Sequence, residues 1–262
     1  MPLTSFLIAL CGWFRRWCAS VAMLPALLLV LPLQAQTLNV GVDTPLAAVL
    51  AEAVPAFTAT RPGVKIVLKA APAAALLDEL ARGAPLDLLV GIERETAALG
   101  EQRRLLRPEA RAAFASNRLV LVVPAGVATV QRLADLALPA VQRVGLGRSG
   151  SLPLGRHGRE ALNAQRLWPA VQRKVVQADD STALLALVKD GAVDAALVYE
   201  TDALAAGAAL RMVQVLPTPE PLRHGAHVSS ASRQAELATA FAAWLRGDAA
   251  RALLQARGFG PP

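Results

Sequence analysis

The chain is poor in several residue types that carry chemistry. Its 262 residues include two cysteines, one tyrosine and three histidines, and only 4% are aromatic. Both cysteines, Cys11 and Cys18, fall in an N-terminal stretch that reads as an export leader. The remainder has no thiol, which excludes disulfides, cysteine nucleophiles and thiolate metal sites from it. Long hydrophobic runs are scarce too. The one charge-free run, residues 23–33 (MLPALLLVLPL), is shorter than the ~20 residues of a spanning helix. It follows Arg15-Arg16 and precedes Ala35, so a basic region, an apolar core and a small residue come in the order of a signal peptide. Residues 1–35 are therefore expected to be removed after Ala35, and the protein to reach the periplasm. An uncleaved membrane anchor is the alternative. Charge is also modest: 18% of residues are charged, and the formal net charge of +7 loses two with Arg15 and Arg16. Arg103, Arg104, Arg107 and Arg111 read as a solvated helix face with no aromatic residues interleaved to stack bases. Nucleic-acid binding is excluded on that basis, and a mild attraction for anions is what the charge supports.

What is abundant is aliphatic: 54% of residues are hydrophobic and the mean hydropathy is +0.41. Residues 37–42, 64–69 and 86–90 are short runs apolar on both faces, as strands of a covered parallel sheet must be. Helical spacing follows each of them, over 45–57, 73–82 and 94–102. The alternation restarts after the long β run 118–124, with strands at 141–146, 174–177 and 195–199 and helices at 154–164 and 181–189. A strand at 212–216 leads into Pro217, Pro219 and Pro221, then a strand near 226–229 and two helices over 233–245 and 248–256. The pattern predicts an α/β protein of two lobes, each a mostly parallel sheet flanked by helices, with a cleft between them. Lobe 1 is expected over 36–117 plus 226–262, and lobe 2 over 118–225.

Several candidate motifs carry little. Gly145, Gly147 and Gly150 fit G-x-G-x-x-G after a strand, but the acids Asp179 and Asp180 lie farther on than the ~20 residues of a ribose contact. A glycine-rich loop whose N–H groups approach an anion is the simpler reading. His157, His224 and His227 have no zinc spacing, and no serine sits in a G-x-S-x-G elbow. No cofactor or metal is expected. Four strand-to-helix loops bear small polar residues: Asp43-Thr44, residues 149–153, residues 179–182, and Tyr199-Glu200-Thr201. Each alone is compatible with an ordinary helix cap. Together they would converge beyond the carboxyl ends of the strands, where open α/β sheets bind ligands.

At this level the chain resembles the periplasmic molybdate-binding proteins of ABC transporters, within the type II solute-binding fold. The resemblance rests on residues 83–88 (GAPLDL), 117–124 (NRLVLVVP), 184–188 (LLALV) with Gly191, Leu197-Val198-Tyr199, Thr201-Asp202-Ala203, and residues 256–259 (ARGF). It implies an exported, non-enzymatic protein that closes around molybdate or tungstate and presents it to an inner-membrane ABC permease; a monomer is expected. It implies hydroxyl donors on two loops of the first lobe, backbone N–H donors on two loops of the second, and a tyrosine hydroxyl. Tyr199 matches the tyrosine, Ser181 one backbone donor and Leu154 the other.

The first lobe departs from that pattern, with Asp43-Thr44-Pro45 and residues 70–75 (AAPAAA) where the family has serines. Thr44 is left as a hydroxyl candidate, Ala73 and Ala74 as N–H donors at a helix start, and Arg148 or Arg156 as charge from the second lobe. Asp43, if it faces the cleft, repels an oxyanion. The alternatives are another small anion, a carboxylate or a different oxyanion, or a periplasmic hydrolase with His157 or Asp180 as base.

Overall fold

The computed structural model describes residues 36–149 and 153–262. The expected leader with both cysteines, and Gly150 of the glycine motif, lie outside the described residues.

Strand β1 (Gln36–Val42) alternates so that Leu38, Val40 and Val42 are fully buried. It pairs in parallel with β2 (Val64–Ala70) on one side and β3 (Leu88–Ile92) on the other. After β1 a 3-10 turn over Thr44–Leu46 takes Pro45 in its opening positions, where a missing N–H costs nothing. Helix α1 (Ala47–Thr58) follows and buries Val49, Leu50, Ala53 and Phe57, one stripe at helical spacing. Helix α2 (Ala73–Ala81) buries Leu76, Leu77 and Leu80, and Gly83 beyond it has φ +89, a left-handed conformation that glycine adopts without strain. Asp87, just before β3, accepts the Asn39 N–H at 3.0 Å and the Ser232 hydroxyl at 2.7 Å, tying β1 to the chain's last third.

Helix α3 (Glu93–Gln102) ends at Arg103, and the expected helical face over Arg103, Arg104, Arg107 and Arg111 is not formed. Arg104 sits at φ +56 and the chain enters β4 (Leu106–Asn117), a long strand. The physical reason is its place: β4 is the edge of the first sheet, where charged residues and Pro108 are tolerated because one side of the strand makes no ladder.

The second sheet holds β5 (Leu119–Pro124), β6 (Val144–Gly147), β7 (Val175–Ala178), β8 (Ala195–Tyr199) and β9 (Leu210–Leu216). Its helices are α4 (Pro153–Ala164), α5 (Trp168–Val171), α6 (Ser181–Lys189) and α7 (Glu200–Ala206). The chain then returns: β10 (Leu222–Ser229) enters the first sheet between β3 and β4, antiparallel to both. Leu222 already pairs with Asn117, so the return crossing is the proline-bearing segment 217–221, and the change of lobe expected at 226 falls inside a first-sheet strand. Helices α8 (Ala235–Trp244) and α9 (Asp248–Ala256) cover the first sheet, with the Phe57 ring 4.8 Å from Phe241 and 5.7 Å from Trp244.

The two sheets have one plan, β2-β1-β3-β10-β4 and β7-β6-β8-β5-β9. In each, the antiparallel strand next to the edge is the one a crossing delivers, β10 in the first and β5 in the second. The outgoing crossing is pinned at Asn117-Arg118. Asn117 donates to the Thr201 hydroxyl at 2.9 Å, and Arg118 forms an ion pair with Glu200. This is a mixed α/β fold of two lobes with their cores on separate sheets.

Candidate functional site

Where β1 ends, Asp43 turns its side chain into the protein and is 8% exposed. Its own N–H bonds the Val90 carbonyl at 2.8 Å, fixing the loop to β3. Its carboxylate accepts the Thr44 N–H at 3.2 Å and the N–H of Ala73, the first residue of α2. An N–H expected to face a ligand is therefore already held by the protein's own carboxylate. Burial pushes the Asp43 pKa up to about 6; the two backbone hydrogen bonds oppose the shift and the nearby Glu95 charge adds to it.

The first turn of α3 supplies Glu95 and Thr96. Glu95 crosses to the second lobe, where it forms an ion pair with Arg156 and lies 3.2 Å from His157 Nε2, both on α4. His157 Nδ1 is 3.1 Å from the Tyr199 hydroxyl at the end of β8. A carboxylate only accepts, so His157 Nε2 carries a proton toward Glu95, and the Tyr199 hydroxyl is the hydrogen-bond partner of Nδ1. Burial opposes ionisation of Glu95, but the His157 hydrogen bond and the His157 and Arg156 charges outweigh it and lower its pKa. Burial, and after it the charges of Asp43, Glu95 and Asp202, pushes the Tyr199 pKa well up, so the phenol keeps its proton.

Around this bridge lie two cavities. One, of about 190 Å³, is lined by Asp43, Ala73 and Ala74 from the first lobe, by Glu95 and Thr96 of α3, and by Ser149 and Arg156 of the second lobe. At ~30 Å³ per water it holds about six waters, the scale of a small ion rather than of a drug-sized molecule. The other, of about 620 Å³, opens toward the crossing segment and includes Glu220 and Arg223. Ile92, Glu95 and Arg156 line both, so the bridge is their common wall. Two lining residues of the smaller cavity each bury an oxygen that has no hydrogen-bond partner among the described residues, Thr96 Oγ1 and Glu95 Oε2, and neither oxygen is accessible from the cavity.

The residues singled out from sequence are thus dispersed. Ala73 and Ala74 line the smaller cavity, and Tyr199 reaches it only through His157 and Glu95. Thr44 is exposed at the rim with its N–H on Asp43. Leu154 is a buried core side chain on the first turn of α4. Ser181 opens α6 and its hydroxyl bonds Asp202, whose pKa burial raises to about 6. Arg156 lines the cavity, whereas Arg148 pairs with Asp179 at 2.6 Å on the exposed side. Asp180 caps α6 by accepting the Ala183 N–H at 2.7 Å. Sequence reasoning overlooked Glu95 and Thr96. The loop after the third strand was the signal, since it opens a helix at the same carboxyl edge as the loops that were considered.

The sequence pattern of the family described as bacterial extracellular solute-binding protein matches residues 38–260. The Bacillus subtilis (strain 168) protein YvgL, named as an ABC transporter substrate-binding lipoprotein, is 31% identical over 149 residues, 55% of each chain. The molybdate-binding protein ModA of Escherichia coli (strain K12) is 26% identical over 152 residues, 55% of this chain and 58% of that one. The alignments thus span little more than half the length of these curated relatives. Among solved structures, the substrate-binding domain of a molybdenum ABC transporter from Clostridium difficile superposes with a TM-score of 0.74 at 23% identity, covering 86% of this chain and 99% of that one. At that identity the likeness speaks for the fold, which is the two-lobed type II binding-protein fold expected from sequence.

Proposed function

Because the chain belongs to the bacterial extracellular solute-binding protein family, we propose that it captures a small tetrahedral oxyanion between its lobes and delivers it to an inner-membrane ABC permease. It acts after export to the periplasm, as a monomer and without catalysis. The observation that carries this reading is the 190 Å³ cavity at the carboxyl edge of both sheets, walled by the start of α2 on one side and by Arg156 on the other. A helix start offers N–H groups and the positive end of a dipole, and Arg156 adds a full charge. Contacts from both lobes favour the closed state, which a permease can distinguish from the open one. Glu95 holds part of that closure in place by bonding α4 across the cleft.

Likeness to molybdate-binding relatives makes molybdate and tungstate the first ligands to try. Thermal unfolding of the purified protein with molybdate, tungstate, phosphate and sulfate tests the reading. A ligand at 100 times its Kd stabilises by about 2.7 kcal/mol, a shift of several degrees in the midpoint. An unmoved midpoint with all four oxyanions would overturn the proposal.

A further inference from the structure

We infer that Glu95 bolts the two lobes together, so that the protein's own side chains close the cleft and an anion enters or leaves only when this ion pair breaks. The inference rests on the oxyanion reading above for what enters, and goes beyond it by placing closure before binding. A cleft closed by its ligand depends on the ligand to bring both walls together. Here side chains of the protein already join the walls.

Glu95 lies in the first turn of α3 on the first lobe, and its carboxylate reaches two adjacent residues of α4 on the second. Oε1 is shared between the Arg156 guanidinium, with which it forms an ion pair, and His157 Nε2 at 3.2 Å. The receiving side is fixed: His157 is buried, and the buried Tyr199 hydroxyl lies 3.1 Å from its Nδ1. Packing reinforces the charge. Ile92, at the end of β3 and just before α3, belongs to the hydrophobic cluster of the second lobe, whereas Leu88 and Val90 of the same strand belong to that of the first. The next residue along α3 toward its start, Arg94, pairs with Glu220 on the crossing segment, but both side chains are more than half exposed, so solvent screens that pair and it adds little. The Glu95 side chain is 19% exposed, where screening is much weaker.

The bolt is also able to yield. Glu95 Oε2 is buried with no hydrogen-bond partner among the described residues, so closing strips water from that oxygen and returns nothing for it. Opening rehydrates it, which offsets part of the loss of the ion pair. The Arg156 side chain stays 44% exposed, and a guanidinium has more N–H groups than Glu95 Oε1 engages, so an arriving anion finds donors still open to it.

Small-angle X-ray scattering of the purified protein, of Glu95→Ala and of Arg156→Ala, each alone and with excess molybdate or phosphate, tests this. The unaltered protein is expected to keep one radius of gyration, roughly 17 Å for a compact chain of its length, with or without anion, and Glu95→Ala alone to exceed it by about 1 Å. Molybdate or phosphate should bring Glu95→Ala back to the compact value. Arg156→Ala, which removes the other half of the ion pair, should also expand, and it carries the test if Glu95→Ala fails to fold. A Glu95→Ala protein as compact as the unaltered one would overturn the inference. So would contraction of the unaltered protein on adding molybdate or phosphate, a result that leaves the oxyanion reading standing. Expanded variants that neither anion contracts would uphold the bolt and count against the oxyanion reading.

Discussion

The two lobes share a strand plan and differ in what they bring to the cleft. Each sheet orders its strands so that a crossing strand sits antiparallel beside the edge, and each buries Val- and Leu-rich strands between helices. Yet the first lobe faces the cleft with acids and alanines, Asp43, Glu95, Ala73 and Ala74, while the second presents Arg156, His157 and Tyr199. The plan follows from hydrophobic patterning, which both halves satisfy alike. The chemistry resides in loops and first helical turns, which the plan leaves free to vary. A fold of this kind therefore fixes where a ligand sits well before it fixes which ligand.

The largest change would come from giving the first lobe neutral donors. Asp43→Ser with Ala74→Ser removes the like charge and adds two hydroxyls. Hydrogen bonds to a charged acceptor are worth ~1.5–3 kcal/mol each, so molybdate affinity should rise about a hundredfold or more by calorimetry. An unchanged affinity would mean that the start of α2 is not part of the site.

Next in size is a stability difference between the lobes' exposed and buried acids. In the folded protein Asp43 keeps its proton to about pH 6, against an ordinary value of 3.8. The folded state therefore holds the proton more tightly than the unfolded state, and stability is lost as pH rises from about 4 to above 6. The full loss is ~3 kcal/mol, at 1.36 kcal/mol per unit. Asp43→Asn should recover up to about that much at pH 8 and almost none near pH 4, read from urea denaturation at both values. His224, whose pKa burial lowers to about 4, works the other way: the unfolded chain gains a proton first, so stability falls as pH drops below about 6.5. Equal gains for Asp43→Asn at both pH values would show that Asp43 is ionised throughout.

The two arginines proposed for the second lobe separate cleanly. Arg156→Ala should weaken every oxyanion about tenfold, since Arg156 is the cation of the cavity wall. Arg148→Ala breaks exposed contacts with Asp179 and Gln177, worth about 1 kcal/mol or less, and should change affinity less than twofold. Calorimetry on both variants with one oxyanion decides it.

These contrasts also explain what the sequence made legible. Helices and central strands were readable because Val, Leu and Ala recur at the spacing of buried elements; residues 181–189 and 195–199 coincide with α6 and β8. The edge strand β4 was not, because an edge carries arginines and a proline in a pattern that mimics a solvated helix. The return crossing was displaced because Leu222 and Arg223 show no strong strand pattern, and it is pairing with Asn117 and Ser116 that makes them a strand. In the site, Asp43 was legible as a departure but its partners were not. That its carboxylate takes the Ala73 N–H, and that Glu95 reaches His157 across the cleft, depends on which loops meet, a property of the folded chain with no local signal.

The smallest effect concerns Tyr199. The resemblance points its hydroxyl at the ligand, whereas the structure has it hydrogen-bonded to His157 Nδ1 at 3.1 Å. Tyr199→Phe removes that hydrogen-bond partner and leaves a buried imidazole nitrogen unsatisfied, while the ring itself keeps its packing. The loss should be about 1 kcal/mol of folding stability, the ordinary scale of one buried hydrogen bond. Oxyanion affinity should change less than it does in Arg156→Ala, because the phenol acts only by holding His157 against Glu95. Denaturation and calorimetry on the same variant separate the two roles. If affinity falls tenfold while stability hardly moves, the hydroxyl turns to the ligand when the cleft fills, and the second lobe then follows the family pattern that the first lobe has left.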